Sequence, residues 1–329
     1  MSEYKSIHGV KVRDYTTDPD NLITGQVWYD KTNKVLQFQA AGAGAWASGG
    51  NINTAKRQIG GAGSQTAGLA FGGETATAAE VNETEAYNGT AWTEVNNLNT
   101  ARISMASSGH EGTSILCTTG EISSTSALTV NNESWNGTSW TEVANVNTAR
   151  RHLAGDGASN TAAIIAGGDS SGVLDSTETW NGTAWTEVNN LNTAREQLAA
   201  AGIATAAIAF GGTTNSLVLN ELWNGTSWTE VADLNAGRQQ WAGAGLSTAA
   251  IGIGGNEGDS PVGSAKTEEW NGTAWAEVGD LATGRRLGGG LGTSSAGLAF
   301  AGQNASNTKL VTTEEFTNPV LATKTVNVD

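Results

Sequence analysis

The sequence predicts an all-β chain folded as a six-bladed β-propeller with four-stranded blades, closed by strand exchange between its N- and C-terminal segments. Three observations predict it. A basic marker, N-T-A-R or a variant, recurs at Lys56, Arg102, Arg150, Arg195, Arg238 and Arg285, about 46 residues apart. A Trp precedes each marker by ten residues, at Trp46, Trp92, Trp140, Trp185, Trp228 and Trp275. After each basic marker, an apolar run ends in a small pair, closing at Gly73, Gly120, Gly168, Gly212, Gly255 and Gly302. An aromatic follows each pair: Tyr87, Trp135, Trp180, Trp223, Trp270 and Phe316.

The two ends of the pattern are complementary. The last unit, "TTEEFTNPV", stops without its Trp, while "AWASGGNINTAK" places Trp46 ahead of the first unit. The N-terminal segment therefore carries the outer strand that the last repeat lacks. An open solenoid would instead carry polar capping repeats. Strand exchange removes the exposed edges that a linear array would leave. The expected division is 1–44 as an N-terminal docking arm with a β-hairpin, 45–319 as the propeller and 320–329 as a tail.

Within one unit the elements follow in order. "QLAAAG" is a first strand of small residues, as crowding near an axis demands. "TAAIAFGG" is an apolar run of strand length ended by glycines. "STETW" and "TAWTEV" then flank Asn181-Gly182, the dipeptide favoured in a two-residue type I′ hairpin. That turn would set Trp180 opposite Thr183 and Glu178 opposite Trp185. The two Trp would then be diagonal neighbours on one face, suited to packing between blades. Burying each contributes about 2–3 kcal/mol, which could offset the thin Ala-rich inner strands.

The basic markers have two readings. They could ring a channel mouth and bind an anion. Because they repeat in every unit, the expectation is structural: each pairs with a Glu of its repeat, such as Glu94, Glu142, Glu187, Glu230 or Glu277, and satisfies carbonyls between blades.

The order glycine pair, aromatic, Trp, Arg resembles the kelch repeat over about residues 45 to 318. It departs in two ways. The paired aromatics lie five residues apart, closer than the usual kelch spacing, and Thr119-Gly120 and Ala301-Gly302 are degenerate glycine pairs. Upstream, "LITGQVWYDKTNKVLQFQ" reads as a hairpin, with strand 25–29, turn 30–33 and strand 34–39. It resembles a G-x-x-W-Y-[DN]-x-T-x-[NK]-x-L segment found near the starts of phage tail-fibre and virion appendage proteins. "AAGAGA" (40–45) reads as a flexible joint. This second resemblance implies a virion structural protein made in a host cytoplasm, docked onto other virion proteins through residues 1–44. It implies further that the propeller is displayed toward a virion partner or a host surface glycan. A homo-oligomer is compatible with that role, although no heptad announces one.

Composition narrows the partners. The formal charge of −15 repels phosphate backbones and anionic lipid, which argues against nucleic acid and membrane surfaces. No apolar stretch has transmembrane length, and the first residues lack the apolar core of a Sec signal. One cysteine allows no disulfide within the chain. Cys117 aligns with small residues of an inner strand and reads as a buried thiol. His8, His110 and His152 have no metal-ligand spacing. "GNEGDS" (255–260) is rich in carboxylates but does not fit an EF-hand. The sequons at Asn88, Asn136, Asn181, Asn224 and Asn271 coincide with the hairpin turns and read as structural. No G-x-S-x-G, phosphate-loop or zinc motif is present, so neither catalysis nor a cofactor or metal is expected.

What varies between repeats is the segment after each glycine pair: 74–82, 121–131, 169–176, 213–219, 256–266 and 303–310. Variable loops on a repeated frame are where binding specificity is built. The candidate binding residues are Asp169, Ser171, Asp175, Asn215, Asn256, Glu257, Asp259, Gln303 and Asn304. Two other functions fit less of the sequence. A polysaccharide hydrolase or lyase would need an acid pair, with Asp169, Asp175, Glu257 and Asp259 as candidates. An intracellular kelch adaptor would need a partner domain such as BTB, which the sequence does not contain.

Overall fold

The computed structural model describes residues 12–16, 26–40, 44–213, 218–258, 262–318 and 322–325. Among them there is no helix, and antiparallel four-stranded sheets dominate. The chain divides into two compact units, Met1–Gly44 with Asn318–Asp329, and Ala45–Thr317.

In the smaller unit, Val27–Asp30 pairs antiparallel with Val35–Ala40, which pairs antiparallel with Ala322–Thr325. Arg13–Tyr15 adds a parallel strand on the other side of Val27–Asp30. The turn forms because Asp30 caps it. Its carboxylate accepts the backbone N–H of Asn33 (3.0 Å) and Thr32 (2.8 Å) and the Asn33 side-chain amide (2.7 Å). The Asn33 backbone N–H does most to hold the Asp30 carboxyl below its usual range. The hairpin thus starts at Val27, with Asp30 closing its first strand; Gly25 lies outside the described residues.

The larger unit holds six four-stranded antiparallel sheets among the described residues. The third is representative: Ala154–Ser159, Ala162–Ala166, Thr177–Trp180 and Trp185–Val188, paired in chain order. The sixth is built differently. Gly289–Gly292, Ala296–Phe300 and Thr313–Thr317 are completed by Ala45–Ser48, with Phe316 opposite Trp46. The first strands are Gly- and Ala-rich where they crowd a neighbouring sheet. A Cβ added at Gly61 would stand 2.5 Å from Phe300 Cζ of the sixth sheet.

The outer hairpins take a register other than that of a two-residue turn. Trp180 pairs directly with Trp185, not with Thr183, and the same holds for Trp135 with Trp140, Trp223 with Trp228 and Trp270 with Trp275. The loop has four residues, Asn181 to Ala184. A type I′ turn needs positive φ at both central residues; here only Gly182 has it, at 90°. The Asn181 Oδ1 instead accepts the N–H of Thr183 and of Ala184, both at 2.9 Å, and so caps a wider loop. The two indoles come to 5.5 Å between centroids, tilted by 36°.

These aromatics join neighbouring sheets. Phe71 of the first sheet packs on Trp140 of the second, Phe210 of the fourth on Trp275 of the fifth, and Phe300 of the sixth on Trp92 of the first. The indole N–H groups do likewise. Trp140 donates to Thr84 Oγ1 (3.1 Å), Trp228 to Thr177 Oγ1 (3.0 Å), Trp46 to Thr267 Oγ1 (3.0 Å) and Trp92 to Thr313 Oγ1 (3.0 Å). Trp92, Trp140, Trp185, Trp228 and Trp275 are buried, and Trp46 is half-buried.

The basic markers are structural, but their carboxylate partners are not those expected. Arg195 Nη2 donates to Glu221 Oε1 at 3.0 Å, while its Nη1 donates to the carbonyls of Gly211 (3.0 Å) and Leu219 (2.8 Å). Arg102, Arg150, Arg238 and Arg285 pair in the same way with Glu133, Glu178, Glu268 and Glu314. These Glu residues lie on the third strand of each sheet. Glu94, Glu142, Glu187, Glu230 and Glu277, on the fourth strand, are exposed instead. Alternation does not separate the two sets, since Glu178 and Glu187, or Glu221 and Glu230, are directly opposed and share a face. The fourth strand is the outer edge, one strand farther from the guanidinium, and its Glu stays in solvent. The Asn of the connecting segment reinforces the clamp, since Asn192 donates its backbone N–H and its side-chain amide to the same Glu221, both at 2.7 Å. Lys56 replaces Arg in the first unit and reaches Glu83 and Glu85 at 2.9 and 3.4 Å. Its single ammonium has no planar fork for the pair of carbonyls.

Two residues past each marker the backbone enters the left-handed region without glycine. Gln58, Ser104, His152, Gln197, Gln240 and Leu287 all have φ between 53° and 58°. Each donates its N–H to the carbonyl of the one before: Ser104 to Gln58, His152 to Ser104, Gln197 to His152, Gln240 to Gln197, Leu287 to Gln240. The circuit returns with Gln58 donating to Leu287 at 2.7 Å. Each bond satisfies a donor that would otherwise be left open in a conformation costing roughly 1–2 kcal/mol for a residue with a Cβ. The degenerate glycine pairs keep the same backbone, since Thr119 and Ala301 both adopt φ 55° where Gly167 has φ 67°.

Candidate binding face

The segments after the glycine pairs begin as part of the frame. Their first residues pair with the residue that follows the basic marker: Arg57 with Glu74, Ile103 with Glu121, Arg151 with Asp169, Gln239 with Asn256, and Arg286 with Gln303. Connection and loop therefore lie side by side at one end of each sheet.

This placement divides the sequence candidates. Asp169 forms an ion pair with Arg151 (Nε to Oδ2, 3.2 Å), so it is partly committed to the frame. Asn256 is buried and donates its amide to Gln240 Oε1 at 3.1 Å. Gln303 is 3 % exposed and accepts from Arg57 Nη1 at 2.8 Å. Burial is the largest single influence on the Glu257 carboxyl and raises it, but the hydrogen bonds from Ser264 Oγ (2.8 Å) and Lys266 Nζ (3.3 Å), together with the charges of Lys266 and Arg238, outweigh burial and leave the carboxyl below its usual range. Asn304 caps its own loop, its Oδ1 accepting the N–H of Ser306 (3.0 Å) and Thr308 (2.9 Å). Ser171 and Asp175 are exposed, and Asp175 accepts from Asn190 Nδ2 at 3.2 Å. Asn215 and Asp259 lie outside the described residues. Asp169, Asp175 and Glu257 take different partners and are not joined by any hydrogen bond among the described residues.

Between the first strands a cavity of about 130 Å³ is lined mainly by Gly and Ala, and one charged pair breaks the repetition. Asp156, on a first strand, faces His110. The His110 Nε2 lies 3.3 Å from Asp156 Oδ1, while the carboxylate accepts the N–H of Gly157 (2.7 Å) and Gly202 (2.8 Å). The carboxylate beside it raises the imidazole's affinity for its proton, and burial raises that of Asp156. At the aligned positions of the other first strands stand Ala62, Ser108, Ala201, Ala244 and Leu291, so residue identity alone marked Asp156 as unusual. Cys117, the one cysteine, is fully buried, and burial pushes its thiol up to about 12. It is inert as a nucleophile near neutrality.

The His110–Asp156 pair gives the fold a pH dependence. Because the folded state raises the His110 pKa above 6.5, the pair's contribution is fully present below about pH 6.5 and is lost as the pH rises through the raised folded value. Its size is on the order of 0.5 kcal/mol, since the imidazole is partly screened by solvent. Melting curves of the wild type and of His110→Gln should therefore differ most near about pH 6 and converge toward about pH 8. Parallel curves over that range would remove the pair from the account.

No family model matches the chain, and no curated protein is detectably similar to it.

Proposed function

We propose that the larger unit is a closed six-bladed β-propeller that displays binding loops, and that the chain serves as a structural appendage of a phage virion, anchored through residues 1–44. The hydrogen-bond circuit through Gln58, Ser104, His152, Gln197, Gln240 and Leu287 supports six blades around one axis. The pairing of Ala45–Ser48 with Thr313–Thr317, and the packing of Phe300 on Trp92, support closure between the ends of that unit.

The reading as an appendage rests on one feature. The segment "GQVWYDKTNKVLQ" resembles the N-terminal segments of tail-fibre proteins, and its Asp30-capped hairpin is a short, preformed module suited to docking. The division of the repeats agrees with display. The Trp pairs and Arg–Glu clamps are committed to holding the frame, which leaves the exposed parts of the unlike loops, such as Ser171 and Asp175, to meet a host surface glycan or a virion partner. The test is mass spectrometry of density-purified particles from cells producing the chain. Co-purification at a fixed copy number per particle is the expected result, and recovery only in the particle-free fraction would overturn the reading.

A further inference from the structure

The residues that follow the basic markers differ in charge, and three of them are arginines: Arg57, Arg151 and Arg286. Two meet a carboxylate from their own loop. Arg57 donates to Glu74 Oε2 through Nε (3.0 Å) and Nη2 (2.9 Å). Arg151 meets Asp169, and it also reaches back to Glu121 of the preceding loop at 2.7 Å. Arg286 meets Gln303 instead. It has no ion pair among the described residues. Its Nη2 donates to Asn307 Oδ1 (2.8 Å), its Nη1 to Gln240 Oε1 (3.3 Å), and its buried Nε has no partner.

Gln303 lies between two guanidiniums. It is backbone-paired with Arg286, and it accepts from Arg57 as Glu121 does from Arg151. In the other two units with an arginine after the marker the aligned residue is a carboxylate, Glu74 and Asp169; beside Arg286 the sequence sets a neutral amide. A third cation adjoins: Lys309 Nζ shares Glu74 with Arg57, at 2.7 Å from Oε1. Arg57, Arg286 and Lys309 thus stand against Glu74 alone, an excess of two positive charges on a chain whose net charge is −15. They open onto a cleft of about 570 Å³ that Asn307 and Thr308 also line, a volume usual for small-molecule sites. Arg286 feels the excess, since burial and then the charge of Arg57 lower its affinity for its proton.

We infer that this cleft binds an oxyanion, a carboxylate or sulfate group that is either free or carried by an acidic saccharide, and that the anion supplies the negative charge that Gln303 does not bring to Arg286. A guanidinium fork and an ammonium match such a group in geometry and charge. The inference stands independently of any role in a virion.

Calorimetric titration of the full chain at low ionic strength tests it, using sodium sulfate, sodium glucuronate and glucose. Saturable binding of both anions and none of glucose is expected. Gln303→Glu supplies the chain's own carboxylate, so it should weaken anion binding at least about tenfold, the scale of one charge-assisted contact, without lowering the melting temperature. Arg286→Gln should weaken it similarly; if that variant fails to fold, Gln303→Glu carries the test. Glucuronate binding about tenfold tighter than sulfate assigns the site to a saccharide, and comparable binding assigns it to the bare oxyanion. Absence of saturable anion binding, equal binding of glucose and glucuronate, or unchanged binding in Gln303→Glu would each overturn the inference.

Discussion

Replacing Arg195 by alanine is expected to destabilise the fold by about 3–5 kcal/mol, the loss typical of a broken buried ion pair. The guanidinium is fully buried, and so is Glu221. Removing the arginine strands that carboxylate in a dry site without its cationic partner, although Asn192 still donates to it. It also leaves the carbonyl of Gly211 without the Arg195 donor, costing about 1–3 kcal/mol, and leaves that of Leu219 with the Gly211 N–H in place of two donors. Much of the loss therefore comes from what is left behind, which predicts a second result. Arg195→Met combined with Glu221→Leu should recover a large part of the stability, because an apolar pair of similar volume avoids the desolvation of two charges. Denaturant unfolding followed by Trp fluorescence measures both. A single-variant loss under about 1 kcal/mol, the range of an exposed pair, would show that solvent reaches the clamp.

That clamp marks how far the sequence could be read. The period, the four strands of each unit and the spare strand around Trp46 follow from spacing alone, because local hydrophobic pattern and glycine placement determine them. The partner of each arginine does not follow. Glu133 and Glu142 look equally available in one dimension and even share a face, being directly opposed; what separates them is that Glu142 stands on the outer edge strand, exposed, while Glu133 is one strand nearer and buried. The Trp pairing is not legible in the sequence for a related reason. Asn-Gly suits a type I′ turn, but the Asn181 side chain bonds two backbone N–H groups and widens the loop to four residues. Among the candidate loop residues, Asp169, Asn256 and Gln303 prove to be tied to the frame, a consequence of how connection and loop run side by side. The cationic cleft was also hidden. "KR", "RR" and "RR" at 56–57, 150–151 and 285–286 were visible, but the cleft depends on Gln303 and Lys309 standing where a second carboxylate is lacking.

Removing the strand Ala45–Ser48 should cost about 3–5 kcal/mol, and a pair of shortened chains isolates that loss. One chain begins at Gly44 and keeps the strand; the other begins at Gly50 and lacks it. Both lose the N-terminal segment, so their difference reports the strand alone. Without it, Thr313–Thr317 loses one of its two neighbours, and Phe316, now fully buried, loses the Trp46 ring 5.2 Å away. Re-exposing an aromatic of that size costs about 2–3 kcal/mol. The strand's hydrogen bonds add about 0.5–1.5 kcal/mol each, and the Trp46 indole contact to Thr267 goes as well. The edge left bare is a template for another chain, so the shorter protein should also associate at high concentration. A synthetic peptide covering residues 44–50 should raise its melting temperature, because that peptide restores the missing neighbour to Phe316. Equal stability of the two chains would mean that the sixth sheet holds with three strands. The proposed closure would then rest on side-chain packing such as Phe300 on Trp92 and on the backbone bond from Gln58 to Leu287, and the strand Ala45–Ser48 would be dispensable to it.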